Sequence, residues 1–161
     1  MIHSTYSEAL RAIGEDLEKR DLKTLEIEKR DDRYLVRCGY QHPPAVTPLV
    51  LEYGIKDIQE LHLLGAQSRS AGEQKLDFSA LSQTLRTIGG YLDQKKGSLL
   101  RISNNDWSGR GPLFRIEYET ADGEVLVDDR STAALYDMGV RLYKQRSRLD
   151  ESDGGRFRSV R

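Results

Sequence analysis

The residues most often used for metal binding and nucleophilic catalysis are few in this chain and widely spaced. His3, His42 and His62 fall at the N-terminus, in a Pro-containing segment and on a helical pattern, so their spacing gathers no ligand set. Cys38 lies in an alternating strand pattern, which favours a buried, inert thiol over a nucleophile. The sequence carries no glycine-rich phosphate loop, nucleophile elbow or zinc-protease motif. We therefore predict no catalytic residue, no metal site and no cofactor.

One segment has a composition typical of ligand binding, and it contains the only tryptophan. Residues 104–112 join two strand patterns and include Trp107 and Arg110. A tryptophan ring can stack on a nucleobase while nearby cations hold phosphate, and the same ring can anchor a protein partner. A third interpretation is that Trp107 folds back over an edge of the core. The predicted ligand-binding residues are Trp107, Arg110, Asn104, Arg101, Arg115, Lys95 and Lys96.

Four strand carboxylates supply the one catalytic alternative. Glu117, Glu119, Asp128 and Asp129 fall on two neighbouring strand patterns. They would serve as general acids or bases only if a cleft raised the pKa of one of them. A small enzyme using these carboxylates is therefore an alternative to the non-catalytic protein that the sequence favours.

Hydrophobic periodicity predicts the elements that position these residues. In the first part of the chain, apolar residues at helical spacing predict a helix over about residues 5–20, which begins with the capping-box pattern Thr5 to Glu8. Alternating residues then predict strands around Leu25 to Ile27 and Tyr34 to Tyr40, and a third strand spans residues 49–53. A second helix follows and ends near Gly65.

The second part of the chain repeats this order of elements. Phe78 begins a helical pattern that reaches Leu92, and strands follow around Leu100 and Phe114. Asp122-Gly123 is typical of a type I′ hairpin turn leading into a third strand. A last helix starts near Ser131, and the final dozen residues are expected to be disordered.

The two parts also share residues at a fixed offset of 75 positions. Over residues 9–27 and 84–102, seven of nineteen aligned positions are identical, far more than chance gives. Further along, Tyr40 falls opposite Tyr118, and residues 50–52 fall opposite 126–128. The identical pairs are Leu10/Leu85, Arg11/Arg86, Ile13/Ile88, Gly14/Gly89, Leu17/Leu92, Leu25/Leu100 and Ile27/Ile102.

These patterns predict an α+β fold made by tandem duplication. Each unit has a helix, three antiparallel strands and a helix (αβββα), and the two units are expected to be related by an approximate internal two-fold axis. The predicted organisation is a first unit at 1–65, a connecting segment at 66–77, a second unit at 78–148 and a flexible basic tail at 149–161. The sequence leaves open whether the two units share one sheet.

Several details of packing can also be predicted. Glycine in a helix interior costs about 1 kcal/mol relative to alanine, so the repeated Gly14 and Gly89 indicate helices that cross too closely for a Cβ. The repeated Arg11 and Arg86 are expected to pair with a carboxylate such as Glu52 or Asp128, to cap carbonyls or to bind an anion. Strict alternation puts a set of apolar strand residues toward the helices. That set is Leu25, Ile27, Val36, Leu100, Ile102, Phe114, Ile116 and Tyr118.

The same alternation puts polar residues and some leucines on the other face of the sheet. Thr24 and Leu99 belong there, as do two expected cross-strand ion pairs, Glu26 with Arg37 and Arg101 with Glu117. The pattern places most strand aromatics on the core side. This counts against a nucleic-acid platform on the sheet itself.

Composition sets the broad class. Of the 161 residues, 37% are hydrophobic and 32% are charged, and no apolar run approaches the roughly 20 residues of a membrane helix. Neither a secretory signal nor a pair of cysteines is present, so we predict a soluble protein, no membrane association and a cytoplasmic location. The net charge is −1, although residues 141–161 carry +4, interpreted as a helix C-terminus and a solvated tail.

The sequence therefore predicts a non-catalytic binding protein. Its general plan resembles that of duplicated DNA-binding folds such as the TATA-box-binding saddle, and of Pur-type nucleic-acid-binding repeats, although it has no motif of either family. The leading expectation is binding of single-stranded DNA or RNA through the second unit's hairpin loop and nearby basic residues. The alternative is a protein-protein adaptor or oligomerisation module, including a homo-oligomer.

Overall fold

The computed structural model describes residues 5–40, 49–70, 77–105 and 113–159. These residues form four helices and six strands, which confirms the predicted α+β class. None of the helices within the described ranges is long and apolar enough to cross a membrane. The elements are α1 (Tyr6–Lys19), β1 (Leu22–Arg30), β2 (Arg33–Tyr40), β3 (Leu49–Tyr53), α2 (Ile55–Ser70), α3 (Leu81–Lys95), β4 (Ser98–Asn105), β5 (Leu113–Glu119), β6 (Val125–Ser131) and α4 (Thr132–Ser159).

All six strands belong to one antiparallel sheet, in the order β3-β2-β1-β4-β5-β6. Each half of the chain thus supplies three consecutive strands, and the halves meet where β1 pairs with β4. At this junction Ile27 pairs with Ile102, and the pairs on either side are Glu26 with Ser103 and Glu28 with Arg101. The two halves therefore share one sheet.

The core lies between the sheet and the helices α1 and α3. Leu10 and Leu17 of α1 and Leu85 and Leu92 of α3 are fully buried against strand residues such as Ile116. Burying one such side chain contributes about 1.5 to 3 kcal/mol, so this layer supplies most of the hydrophobic stabilisation. The outer helices flank the layer, with α2 against α1 and α4 against α3.

The helices α1 and α3 approach each other closely at two glycines. A Cβ on Gly14 would stand 2.6 Å from Ser82 Cα, and a Cβ on Gly89 would stand 2.5 Å from the Ser7 backbone nitrogen. Real Cβ atoms do not make contacts this short with backbone. The prediction that both glycines mark a close helix crossing is confirmed.

The same crossing also supplies hydrogen-bond acceptors to both helix N-termini. The first amides of a helix have no partner within it, and a carboxylate there also complements the positive end of the helix dipole. The Asp93 carboxylate, in the last turn of α3, accepts from the backbone nitrogens of Tyr6 (3.0 Å) and Ser7 (3.1 Å). Glu18 Oε1, in the last turn of α1, accepts from the backbone nitrogen of Ser82 at 2.6 Å. Each helix therefore caps the start of the other.

Two bulges in the central strands break the strict alternation that the sequence predicted, so part of that prediction is wrong. The pairing register shifts between Thr24 and Glu26 in β1, and between Leu99 and Arg101 in β4. The extra residue reverses the facing of every position before it. Thr24 and Leu99 are accordingly buried in the core, where alternation had put them on the other face, and Leu100 is only half-buried.

Element ends also differ from those expected from the sequence. Helix α2 continues past Gly65 to Ser70, and α4 continues through residues 149–159, where a flexible tail was predicted. No proline follows Pro112, so nothing in the C-terminal segment sterically forbids helical backbone. The proposed unit boundaries remain predictions.

Of the two repeated arginines, Arg11 pairs with a carboxylate, as predicted, and this carboxylate lies on its own helix. Arg11 Nε pairs with Glu15 Oε1 at 3.1 Å along the same helix, and Arg86 contacts the side chain of Gln83. The two suggested carboxylates bind other partners, Glu52 pairing with Arg33 and Asp128 with Arg130. The pair of Arg11 with Glu15 is the i,i+4 ion pair that helix geometry favours.

Candidate functional site

The structure describes five of the seven predicted ligand-binding residues, and these five do not form one basic cluster. Trp107 and Arg110 lie outside the described residues, in the segment 106–112 between β4 and β5. Lys95 and Lys96 precede β4, whereas that segment follows it, and eight strand residues separate the two ends by about 23 Å. The two lysines therefore lie at the end of β4 opposite to Asn105.

Asn104 lies near the Trp107 end of β4, and its side-chain nitrogen donates to the Thr24 carbonyl at 3.4 Å. Lys96 adopts a left-handed conformation after α3, with a φ of 53°, and is exposed. Lys95 Nζ lies 5.6 Å from the centre of the Tyr91 ring. Each of these side chains thus has a local structural role or faces solvent.

The two predicted strand arginines do lie together, on the sheet face away from the helices. Arg101 pairs in register with Glu117, and Ser103 pairs with Arg115, so the arginines are diagonal neighbours. Arg101 Nε is 2.9 Å from Glu26 Oε1. Arg115 makes two hydrogen bonds to Asp129, at 2.9 and 3.2 Å. Both arginine charges therefore already have carboxylate partners.

We call this surface the open sheet face and define it by its two central rows of side chains. Across the strands, one row is Val50, Arg37, Glu26, Ser103, Arg115 and Asp129, and the other is Glu52, Leu35, Glu28, Arg101, Glu117 and Val127. The rows carry three arginines and five carboxylates. This balance disfavours a polyanion on the open sheet face.

The expected cross-strand neighbours on the open sheet face are confirmed as register partners. Glu26 stands opposite Arg37, and Arg101 stands opposite Glu117. The ion pair formed by Arg101, however, runs across the β1–β4 junction to Glu26. The sequence could not show that junction, because it joins strands from the two halves.

Two of the four carboxylates considered for catalysis, Asp128 and Asp129, form ion pairs with arginines. The hydrogen bonds from Arg115 lower the pKa of Asp129 below its usual range. Asp128 accepts from the Tyr91 hydroxyl at 2.7 Å and from Arg130 at 3.0 Å. A general acid needs a raised pKa, so the lowered pKa of Asp129 makes it unsuited to that role.

The sheet ends in two edge strands, β3 and β6, of which β6 is the longer. It pairs with β5 through all seven of its residues without a bulge, whereas β3 has five residues. On β6, Val125 is 58% exposed and Val127 is 57% exposed. A straight edge with unpaired backbone groups and exposed β-branched residues is a template for another strand.

A cavity of about 360 Å³ lies between α1, the β1–β2 turn and the start of α2. We call it the tyrosine cavity. Its walls are Tyr6, Ala9, Tyr34, Ile55 and Ile58, and Lys29, Asp31 and Asp32 complete its lining. Ligand-binding pockets usually have volumes of 300 to 1,000 Å³, so it has room for a small molecule.

Tyr34 is the buried polar residue of the tyrosine cavity. It is 5% exposed, and its hydroxyl makes no hydrogen bond to the described residues. Solvent still reaches this hydroxyl, because Thr24 Oγ1 is the one fully buried side-chain atom without a partner among these residues. Burial raises the pKa of this phenol, and Lys29 Nζ lies 5.3 Å from the centre of its ring. Sequence reasoning missed this site, because Tyr6 and Tyr34 fit the apolar pattern of core residues.

Comparison with known proteins gives no relative: no protein-family model, no curated protein and no solved structure matches this chain. The candidate sites are therefore argued from the geometry of this molecule alone.

Proposed function

We propose that this chain is a non-catalytic binding protein that associates with a second copy of itself through the edge strand β6. The observation that carries the proposal is the unbroken seven-residue edge with two valines more than half exposed, Val125 and Val127. Exposed edges of this kind tend to be blunted by proline, bulges or charged side chains, lysine above all. β6 contains no proline, lysine or bulge, and its three charged residues, Asp128, Asp129 and Arg130, are held in ion pairs within the chain.

The sequence of β6 is compatible with antiparallel pairing to itself. If two copies pair about Val127, each Val127 meets its counterpart, and Arg130 stands opposite Glu124 of the partner subunit. Cross-strand pairs of opposite charge or of β-branched residues contribute about 0.2 to 1 kcal/mol each. The main-chain hydrogen bonds of the two edges add to this, and the combined sheet would have twelve strands.

The experiment is to measure molar mass in solution by light scattering over a range of concentrations. We expect a dimer for the wild type and a monomer for Val127→Lys, because a lysine at the centre of the pairing would face its counterpart across the two-fold axis. Val50→Lys is the matched control, since Val50 is 61% exposed on the other edge strand, and it should remain dimeric. A monomeric wild type at every concentration, or dissociation by both substitutions, would contradict the proposal.

We also propose that the fold arose by the tandem duplication predicted from the sequence. Support comes from features that recur 75 positions apart: the bulges after Thr24 and Leu99, and the junction pair Ile27 with Ile102. The reciprocal contacts of the two helices, at Gly14 with Ser82 and Gly89 with Ser7, keep the same offset. An approximate two-fold axis through the Ile27–Ile102 pair would explain all of these.

The pairing register also refines the alignment of the proposed units. Thr24 pairs with Cys38, and Leu99 pairs with Tyr118. Tyr118 therefore corresponds to Cys38 and not to Tyr40, since the second hairpin is longer. Val127 corresponds to Val50 in the same way. Each valine lies two strands away from a residue of a central strand, and these two central residues are 75 positions apart.

A second candidate function is binding of single-stranded nucleic acid through the Trp107 segment. The specific observation in its favour is hairpin length. Arg30 pairs with Arg33 around a two-residue turn, whereas Asn105 and Leu113 enclose the seven residues 106–112. Strand pairing does not require the longer connection. This candidate ranks second because Arg101 and Arg115 are engaged by carboxylates and the two lysines lie at the end of β4 opposite to Asn105.

Titration of labelled poly-dT and poly-U oligonucleotides at two salt concentrations tests this second candidate. If it holds, Trp107→Ala should cost about 1 to 3 kcal/mol per stacked base, and Arg110→Glu should also weaken binding. Affinity should fall as salt rises, because phosphate contacts release counterions. No binding at low salt would rule out nucleic acid as the ligand.

A further inference from the structure

We propose that the tyrosine cavity is a binding site for a small organic carboxylate with an apolar, one-ring body. This site lies away from β6, so it is independent of the association proposed above. Three properties of the lining carry the inference: a hydroxyl that makes no hydrogen bond to the described residues, a lysine with no carboxylate partner among them, and an apolar wall.

The hydroxyl belongs to Tyr34, which lines the cavity and makes no hydrogen bond to the described residues, so it is available to donate to a ligand. Tyr6 also belongs to the lining, and its hydroxyl oxygen accepts from the Leu99 backbone nitrogen at 3.1 Å. The Tyr6 proton is thus free to donate, so both phenols of the lining can donate a hydrogen bond to a ligand.

The lysine of the lining is Lys29. Its ammonium donates to the Asp31 carbonyl oxygen and lies over the Tyr34 ring, but it forms no ion pair with a carboxylate of the described residues. Asp32, by contrast, lies 3.9 Å from Arg33. The Asp31 side chain is exposed at the turn and opposes an anion, and Asp93 is near enough to Tyr34 to help raise its pKa. Lys29 is therefore the group that would hold the carboxylate.

The apolar wall consists of Ala9, Ile55 and Ile58, of which Ala9 and Ile58 are buried. This wall suits the hydrocarbon part of a ligand, whose burial is favourable by about 25 cal/mol per Å². A single aromatic ring with a short acid arm would place its ring against these residues and its carboxylate toward Lys29 and Tyr34.

The corresponding position in the other half of the sheet lacks the polar groups. Lys29 pairs with Tyr34 in the first hairpin, and Asn104 pairs with Phe114 in the second. Phenylalanine fills the same kind of buried position without a hydroxyl. The fold therefore does not require a tyrosine there, which points to use of the hydroxyl in binding.

Isothermal titration calorimetry of the full chain tests the proposal. The three probes share a phenyl ring on a short arm and differ in the polar group: phenylacetate, 2-phenylethanol and 2-phenylethylamine. We expect phenylacetate to bind with one-to-one stoichiometry, the alcohol to bind at least tenfold more weakly, and the amine to show no binding. Tyr34→Phe and Lys29→Met should each weaken phenylacetate binding about tenfold, because each removes one charge-assisted or hydrogen-bonding contact.

Lys95→Met is the matched control, because Lys95 also lies over a tyrosine ring but outside the cavity. It should leave phenylacetate affinity unchanged, and so should Val127→Lys, which separates this test from that of self-association. No phenylacetate binding by the wild type would overturn the proposal. Equal binding of the amine, or full affinity in both Tyr34→Phe and Lys29→Met, would do so as well.

Discussion

Two buried threonines on neighbouring layers differ in how their hydroxyls are satisfied. Thr24 is 1% exposed, and its hydroxyl has no hydrogen-bond partner among the residues described. Thr87 is also buried, but its hydroxyl donates to the Gln83 carbonyl at 2.9 Å. The same substitution at these positions should therefore have opposite effects on stability.

We expect Thr24→Val to raise the free energy of unfolding by about 1 kcal/mol, because it removes an unsatisfied buried hydroxyl and keeps the shape. Thr87→Val should lower it by about 1 kcal/mol through the lost hydrogen bond. Urea denaturation followed by circular dichroism measures both. If Thr24→Val destabilises the protein as much as Thr87→Val does, its hydroxyl must have a partner.

Gly14 and Gly89 should not tolerate even one added carbon. We expect Gly14→Ala and Gly89→Ala each to lower the free energy of unfolding by about 1 to 3 kcal/mol, since the new Cβ would meet backbone of the facing helix. Gly90→Ala is the control: its Cβ would lie 3.3 Å from a movable end of Leu142 and gains about 1 kcal/mol in helix propensity. Equal stability of all three variants would show that α1 and α3 can separate at little cost.

Residue-level features differed in how well the sequence predicted them. The glycines were predictable, because a costly residue repeated in two helices demands a packing reason. The tyrosine cavity was not, since Tyr6, Tyr34 and Ile58 are distant in sequence and each fits an apolar pattern. A hydroxyl that lacks a partner is visible only once its surroundings are known.

At the scale of elements, the two cross-helix caps should matter more than ordinary surface carboxylates. We expect Asp93→Ala and Glu18→Ala each to cost about 0.5 to 2 kcal/mol, because the helix-start amides they accept from would lose their partner. Asp137→Ala, at an exposed position of α4, is the control and should change stability little. Thermal melts of the three variants compare them directly, and an effect no larger than that of Asp137→Ala would mean that water replaces the caps.

The positions of helices and strands could be predicted closely from hydrophobic periodicity. The side of the sheet on which each strand residue lies could not. The apolar run Leu99-Leu100 can alternate in either phase, so nothing in it reveals that a bulge gives Leu99 the buried position. Alternation is a local signal, and a bulge is fixed by the partner strand. The pairing of β1 with β4 could not be predicted from local sequence patterns for the same reason.

At the scale of the whole molecule, three tyrosines make the stability of the fold depend on pH in the alkaline range. Burial raises the pKa of Tyr34, Tyr53 and Tyr91 in the folded state, and hydrogen bonds to Asp16 and Asp128 add to this for the last two. The unfolded chain releases these protons near pH 10. Their contribution to stability is therefore complete below about pH 10 and is lost as pH rises above it.

Absorbance titration of tyrosinate tests this pH dependence. In denaturant, all eight tyrosines should ionise near pH 10, while in the native protein Tyr34, Tyr53 and Tyr91 should ionise only as the fold is lost. Far-ultraviolet circular dichroism recorded on the same samples follows the fold. Ionisation of all eight near pH 10 with an unchanged native spectrum would contradict the burial of these phenols.

The reciprocal caps of α1 and α3 also have a consequence for cooperativity. If the first half opens, Ser82 loses the carboxylate of Glu18, and if the second half opens, Tyr6 and Ser7 lose that of Asp93. Local opening of either half therefore weakens a helix in the other. Amide hydrogens in α1 and α3 should consequently exchange with solvent at matching rates through one global event, even though the halves occupy separate stretches of chain.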